Sequence, residues 1–337
     1  MSMWSNRAPL RPASFTPGPH ASGYAPTDPG AGGRDASRPG DSIRRHSRSF
    51  SVACRLLPAG KRVAVEQLYA WCRWCDDGVD TASAPEQAAA FLDHAAADLR
   101  LIAAGEVPTA NESRWLASLV RRYQLSIEAG QALLQGMRSD LTPVAGLSED
   151  DLLRYCFRVA GAVGVLMCPI LGLADRRFLP NAAALGMGMQ LTNIARDVAE
   201  DWRRSRCYLP VLWTGGLRPG ITPLEEGGVK QGVAEILRLA DGYYAAGDAG
   251  ISALDRDSRV AVQTASRVYH AIGTRIRKRR FRVLEERARV STGTKLRLLV
   301  LSLLTSAGGP RPSRLPAVAE QALSTAAQLL REHGVST

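Results

Sequence analysis

Asp76 and Asp80 stand four residues apart in the run Arg73-Trp74-Cys75-Asp76-Asp77-Gly78-Val79-Asp80. Asp197 and Asp201 repeat that spacing in Arg196-Asp197-Val198-Ala199-Glu200-Asp201. On a helix, residues i and i+4 share a face with a rise of about 6 Å, so each pair aims two carboxylates the same way. Two such pairs facing one another make an oxygen-lined cage for hard divalent cations. Mg²⁺ suits it, with one or two carboxylates per ion and substrate phosphate oxygens completing an octahedron. The chemistry this suggests is metal-assisted loss of diphosphate from an allylic substrate. A single D-x-x-x-D is ordinarily a solvated face or half of a salt-bridge ladder. Two copies in apolar helical settings need their mutual repulsion compensated, and a metal does that directly. Asp77, about 100° round the helix, is a further metal contact or a group behind the ligands.

The elements that must position these carboxylates read as helices almost throughout. From Lys61 to Val79, the apolar residues Val65, Leu68, Tyr69, Cys72 and Val79 recur at helical spacing. Ser148 followed by Asp151 is a capping box opening a long helix that ends near Gly172. Its middle, Tyr155 through Gly164, is rich in small residues that allow close helix packing or leave room for a ligand chain, and Pro169 should kink it. A helix from about Asn181 to Trp202 carries the second acidic cluster, and others are expected near 230–250, 252–287 and 291–306. The Pro/Gly-rich stretch 207–229 reads as a loop over the site. No segment alternates with period two, so the expected class is all-α.

Composition narrows the partners. The chain has 337 residues, 45% hydrophobic and 22% charged, with a formal net charge of +11 and a pI near 9.8. That excess favours diphosphates or anionic lipid surfaces. Nucleic acid is not expected, because no finger spacing, aromatic RNA-binding signature or basic region ahead of heptads is present. The six cysteines, Cys54, Cys72, Cys75, Cys156, Cys168 and Cys207, are scattered through apolar segments, as in a reducing compartment. Cys72 and Cys75 have zinc half-site spacing but no second pair, so they read as buried small side chains. No apolar run reaches bilayer-crossing length; the best candidate, Leu298 to Leu304, is short and flanked by Lys295 and Arg297. Residues 1–41, with seven prolines between Pro9 and Pro39 and no apolar period, are expected to form a disordered tail without a signal peptide.

Over roughly residues 42–306 the sequence resembles the squalene/phytoene synthase family, most closely its bacterial phytoene synthases. The resemblance rests on His46-Ser47-Arg48-Ser49-Phe50 with Leu56-Leu57-Pro58, and on Tyr69 through Arg73 leading into Asp76–Asp80. It continues in the central Tyr155–Gly164 run and in Gln190, Asn193, Arg196, Asp197 and Asp201 with Arg206-Cys207-Tyr208-Leu209-Pro210. The basic segment Arg287–Leu296 closes it. Gly78 inside a helix, at a cost of about 1 kcal/mol relative to Ala, and Glu66 at an apolar-looking position are unusual features. Residues 307–337 look like an appended, helical C-terminal extension.

The resemblance implies an all-α isoprenoid (terpenoid) synthase fold, a single helical bundle with a central cavity. It implies head-to-head condensation of two prenyl diphosphates, by ionisation of an allylic diphosphate, closure to a cyclopropyl diphosphate, then rearrangement and proton loss. Asp76, Asp80, Asn193, Asp197 and Asp201 are expected to hold Mg²⁺, with Mn²⁺ as the alternative. Arg73 and Arg196 are placed to fork onto phosphate oxygens, and His46, Arg48, Gln190, Arg287 and Lys295 are further substrate contacts. Tyr155 and Tyr208 could orient diphosphate or steer proton loss. Small residues on the cavity wall, Cys54, Gly161, Ala162 and Gly164, favour geranylgeranyl diphosphate and a phytoene product without NADPH, the first committed step of carotenoid biosynthesis. The alternatives are squalene or dehydrosqualene synthesis from farnesyl diphosphate, and a non-catalytic assembly protein. A cytoplasmic enzyme attached to the membrane periphery, alongside other carotenoid or prenyl-diphosphate enzymes, fits amphipathic substrates and an insoluble product.

Overall fold

A computed structural model of the chain describes residues 53–305 and 315–337. The tail 1–41, His46 and Arg48 lie outside the described residues. Among those described there are helices and turns and no strand; an isolated bridge pairs Val144 with Arg206.

Twelve α-helices succeed one another among the described residues. They are α1 (Ala59–Asp80), α2 (Pro85–Ala103), α3 (Asn111–Tyr123), α4 (Ile127–Ser139), α5 (Glu149–Cys156), α6 (Ala162–Ile170), α7 (Leu179–Arg203), α8 (Val211–Thr214), α9 (Glu226–Gly250), α10 (Arg256–Lys278), α11 (Thr292–Thr305) and α12 (Ala317–Glu332). The expected capping box is present at α5: Ser148 Oγ accepts from Asp151 N at 3.1 Å, and Ser148 N donates to Asp151 Oδ2 at 3.2 Å. The helix it opens is not continuous. A π-helical turn, Phe157–Gly161, separates α5 from α6, and α6 ends one residue after Pro169.

The central element is α7, buried over most of its length. Against it lie α9, α10, α12 and α6 with the π turn, while α2 and α3 pack on α1. Where α7 crosses the π turn and α6, backbones touch. A Cβ on Gly186 would sit 2.3 Å from the Ala160 carbonyl oxygen, and one on Gly164 would sit 2.4 Å from that of Ala182. Gly78 has a similar reason: a Cβ there would overlap the Phe91 ring, which packs at 4.7 Å on Trp74. Close approach offsets the helix propensity that glycine gives up.

Two expectations about boundaries change. The helix expected over 252–287 stops at Lys278, because Arg280 and Phe281 both take left-handed backbone conformations, φ 53° and 60°. No glycine or proline announces this stop, and it frees residues 282–291 to cross back over the bundle. The stretch 207–229 contains α8 and is pinned by Cys207 N donating to the Val144 carbonyl at 2.7 Å. Among the described residues one helical stretch, Glu149–Ile170, is long and apolar enough to cross a membrane, where the sequence pattern predicts none; 78% of its apolar window is buried inside the protein, as in a core helix.

Candidate active site

The first acidic cluster sits on the last turns of α1. Arg73, 2% exposed, donates from Nη1 to Asp76 Oδ2 at 2.9 Å and from Nη2 to Asp77 Oδ1 at 2.5 Å. Its fork is therefore engaged by carboxylates of its own helix, where the sequence pointed to a phosphate. Asp76 is buried, whereas Asp77 and Asp80 are partly exposed. Arg204, just past the end of α7, comes within 3.8 Å of Asp80 and links the two clusters at their ends.

The second cluster occupies one face of α7. Asn193, Asp197 and Asp201 recur at four-residue steps, and all are buried, as is Gln190, whose Oε1 accepts from Asn193 Nδ2 at 3.4 Å. Asp197 is held twice. Arg196 donates from Nε to Oδ1 at 2.8 Å and from Nη2 to Oδ2 at 2.5 Å; Arg287 donates to the same atoms at 2.7 and 3.0 Å. Burial pushes its carboxyl up, but the two guanidiniums outweigh it and hold it below the usual range. Asp201 goes the other way: burial, with the Asp197 and Glu200 carboxylates adding, pushes it up to about 7.

This donor set fits a hard cation. The buried Asn193 Oδ1 and Asp201 Oδ1 have no hydrogen-bond partner among the described residues, and buried acceptors of this kind require one. They share a helix face with Asp197, and all three supply oxygen. Among the described residues, however, no three His, Cys, Asp or Glu side chains converge tightly enough to hold one ion by themselves.

Beside Asp201 stands a pair of phenols. Tyr155, in the last turn of α5, donates to Asp140 Oδ2 at 3.0 Å, and Tyr208 donates to Asp140 Oδ1 at 2.7 Å; the rings stack at 4.6 Å between centroids. Burial, with the Asp140 carboxylate next, pushes both phenols well above the usual range, and Asp201 adds to each. They are neutral donors at physiological pH. Asp140 does not stand out in the sequence. It lies just after α4 in a polar stretch with no partner at helical spacing, and only the fold brings it under two tyrosines. Tyr269 escapes sequence reasoning in the same way: on α10, it is close enough to Tyr69 and Arg196 to perturb both.

Alongside the N-terminal halves of α1 and α7 runs an apolar cavity of about 910 Å³, its open mouth included. Cys54, Val65, Ala160, Val163, Gly164 and Met189 are among its walls. Cys54 and Gly164 lie where the sequence placed them. Gly161 and Ala162 are not among its walls; a Cβ on Gly161 would meet Phe157, Met187 and the Ala183 carbonyl at 3.0–3.3 Å, so its smallness serves the contact with α7. Lys295 is in the first turn of α11. All six cysteines are free thiols and buried, Cys72 and Cys75 included.

Comparison with known proteins bears on this arrangement. The model of the squalene/phytoene synthase family matches residues 43–294. The 15-cis-phytoene synthase of Paracoccus sp. is 35% identical over 77% of this chain and 88% of its own length. The phytoene synthase of Rhodobacter capsulatus is 34% identical over 78% and 79%. Among solved structures, a dehydrosqualene synthase in complex with ligand superposes with a TM-score of 0.72 at 26% identity, covering 79% of this chain and 94% of that one. The squalene synthase HpnC from Alicyclobacillus acidocaldarius has the same fold, with a TM-score of 0.64 at 24% identity, covering 72% of this chain and 94% of that one.

Proposed function

The chain belongs to the squalene/phytoene synthase family, and from that premise we propose that it condenses two geranylgeranyl diphosphates head to head into phytoene. One structural relation carries the reading. The acidic clusters lie at one end of α1 and α7, and the apolar cavity lies along the other end of the same helices. From Val65 to Asp76 the helical rise is about 16 Å, and from Met189 to Asp197 about 12 Å. A charged head and a long hydrocarbon tail fit that layout.

Asp76, Asp80, Asn193, Asp197 and Asp201 would hold Mg²⁺, which when bound neutralises diphosphate charge and assists its departure. The residues of the chain do the rest. Arg196 and Arg287 keep Asp197 ionised and oriented, and Arg73 orients Asp76. Gln190 orients Asn193. The apolar wall keeps water from the allylic cation formed when the first diphosphate leaves. The 2,3-double bond of the second substrate attacks that cation, and proton loss closes the cyclopropyl diphosphate. Its ionisation and rearrangement end in loss of a second proton. Tyr155 and Tyr208, neutral phenols beside Asp201 whose single O–H groups rest on Asp140, turn those hydrogens to a departing diphosphate when substrate is bound. Because the sequence of steps ends in proton loss, no NADPH is required.

Peripheral membrane attachment accompanies this activity. On α11, Leu296, Val300, Leu303 and Leu304 are 60%, 47%, 54% and 73% exposed. Their spacing puts them on one face, while Ser302 on the opposite face is buried and receives Arg267 Nη1 at 3.0 Å.

The deciding experiment incubates the protein with Mg²⁺ and geranylgeranyl or farnesyl diphosphate, with and without NADPH. Phytoene from the C20 substrate alone is the expected product. A preference for farnesyl diphosphate would replace this reading with dehydrosqualene or squalene synthesis.

A further inference from the structure

Helix α12 begins beyond the stretch that the family model matches, which ends at residue 294. Its buried face, Ala319, Ala322, Ala326, Leu329 and Leu330, packs along α9 and α7. Its C-terminal end reaches the π turn. His333 Nδ1 lies 2.8 Å from the Leu329 carbonyl oxygen, so Nδ1 carries the hydrogen and Nε2 accepts. Arg158 Nε donates to that Nε2 at 3.1 Å, and the His333 ring packs 4.9 Å from Phe157 between centroids. Phe157 and Arg158 are the first two residues of the π turn. The same end is fastened by an ion pair of Glu332 with Arg154, and by Arg176 donating to the Ser336 carbonyl at 3.2 and 2.6 Å.

A π turn holds one residue more than an α turn, which rotates α6 by about 100° relative to α5. Before the turn stands Tyr155, tied to Asp140 and Tyr208. After its first residues come Ala160, Val163 and Gly164 of the cavity wall. An irregular turn persists where its surroundings over-determine it. On the inner side Gly136 and Gly186 do so: a Cβ on Gly136 would come within 2.7 Å of Val159 Cγ1 and 2.8 Å of Arg158 Cβ. On the outer side the contact is His333. Its acceptor role needs a neutral ring. Burial, with Arg158 and Arg154 adding to it, holds its pKa below the usual range, although the hydrogen bond to the Leu329 carbonyl and the Glu332 carboxylate oppose them; Glu128 of α4 lines the same cleft.

We propose that α12 is a clamp on the π turn, with His333 as the positioning residue that keeps Tyr155 and the apolar wall in register. This goes beyond the activity proposed above, since it concerns an element outside the family's matched region.

Hydrogen exchange read by mass spectrometry on the full chain tests it. In His333→Ala, amides of 157–161 should exchange about tenfold faster, as local opening is set by local stability, while α2 and α10 stay as in wild type. His333→Gln, whose side-chain carbonyl can still accept from Arg158, should recover most of the protection. In parallel, kcat with geranylgeranyl diphosphate should fall about tenfold in His333→Ala with KM little changed. Unchanged exchange at 157–161, acceleration spread evenly over the chain, or a Gln variant no better than Ala would overturn the clamp. If wild type turns over no prenyl diphosphate, the proposed activity fails by itself and the exchange measurement still decides the clamp.

Discussion

Arg287 reaches across 90 residues of sequence to fork onto Asp197, Nε to Oδ1 at 2.7 Å and Nη2 to Oδ2 at 3.0 Å. The contact is made by the segment that follows α10, after the chain leaves the helix at Lys278 and turns through Arg280 and Phe281. It also sets how a carboxylate this buried stays charged.

Asp197→Asn should therefore act twice. Loss of a charged ligand should cut kcat at least about a hundredfold, or about 3 kcal/mol of barrier. Loss of the anion between two guanidiniums should lower folding stability by about 3–5 kcal/mol, read by urea unfolding. EDTA should abolish wild-type turnover and Mg²⁺ should restore it. Near-normal kcat in the variant would remove Asp197 from the metal and diphosphate site.

The phenol pair makes a second, separable prediction. Tyr155→Phe deletes one donor to Asp140 while Tyr208 still holds the other oxygen at 2.7 Å. A lost hydrogen bond to a charged group is worth about 1.5–3 kcal/mol, so kcat should fall about 10- to 100-fold if the hydroxyl acts on diphosphate. Single-turnover rates with geranylgeranyl diphosphate measure it. Full turnover in Tyr155→Phe would reduce the pair to a structural tie.

Cavity length is probed at Cys54. Its thiol is buried in the apolar wall and pushed up to about 12 by burial, with Glu66 adding. It should resist alkylation at neutral pH, where so little is thiolate. Cys54→Phe should fill part of the cavity and raise the farnesyl-to-geranylgeranyl ratio of kcat/KM by about tenfold, equal to about 1.4 kcal/mol. An unaltered ratio would mean that the tail does not pass Cys54.

The exposed face of α11 predicts membrane behaviour. Binding to anionic liposomes should exceed binding to neutral ones and weaken with salt, since each basic residue near an anionic surface contributes about 1 kcal/mol. Leu303→Asp with Leu304→Asp should abolish flotation with vesicles and leave turnover of detergent-dispersed substrate intact. Flotation unaffected by both salt and the double variant would rule out this face as the attachment site.

Much of the candidate site was legible along the chain because its parts are local. Asp76 with Asp80, and Asn193 with Asp197 and Asp201, share faces through helical periodicity alone. Ser148 and Asp151 announce their helix start by a contact that spans three residues. The all-α class comes from the same period, repeated without any two-residue alternation. Tertiary structure decided what periodicity cannot carry. Asp140 matters only because α5 and the segment after α7 bring Tyr155 and Tyr208 to its two oxygens. Arg73, which reads as a phosphate fork, is engaged by Asp76 and Asp77. Gly161, which reads as cavity wall, packs on α7 because the π turn rotates it there, and that turn is fixed by Gly136, Gly186 and His333 from three different helices or their ends. A pattern in sequence reports which side chains share a face; which face meets which, and at what rotation, depends on close contacts between residues far apart in the chain.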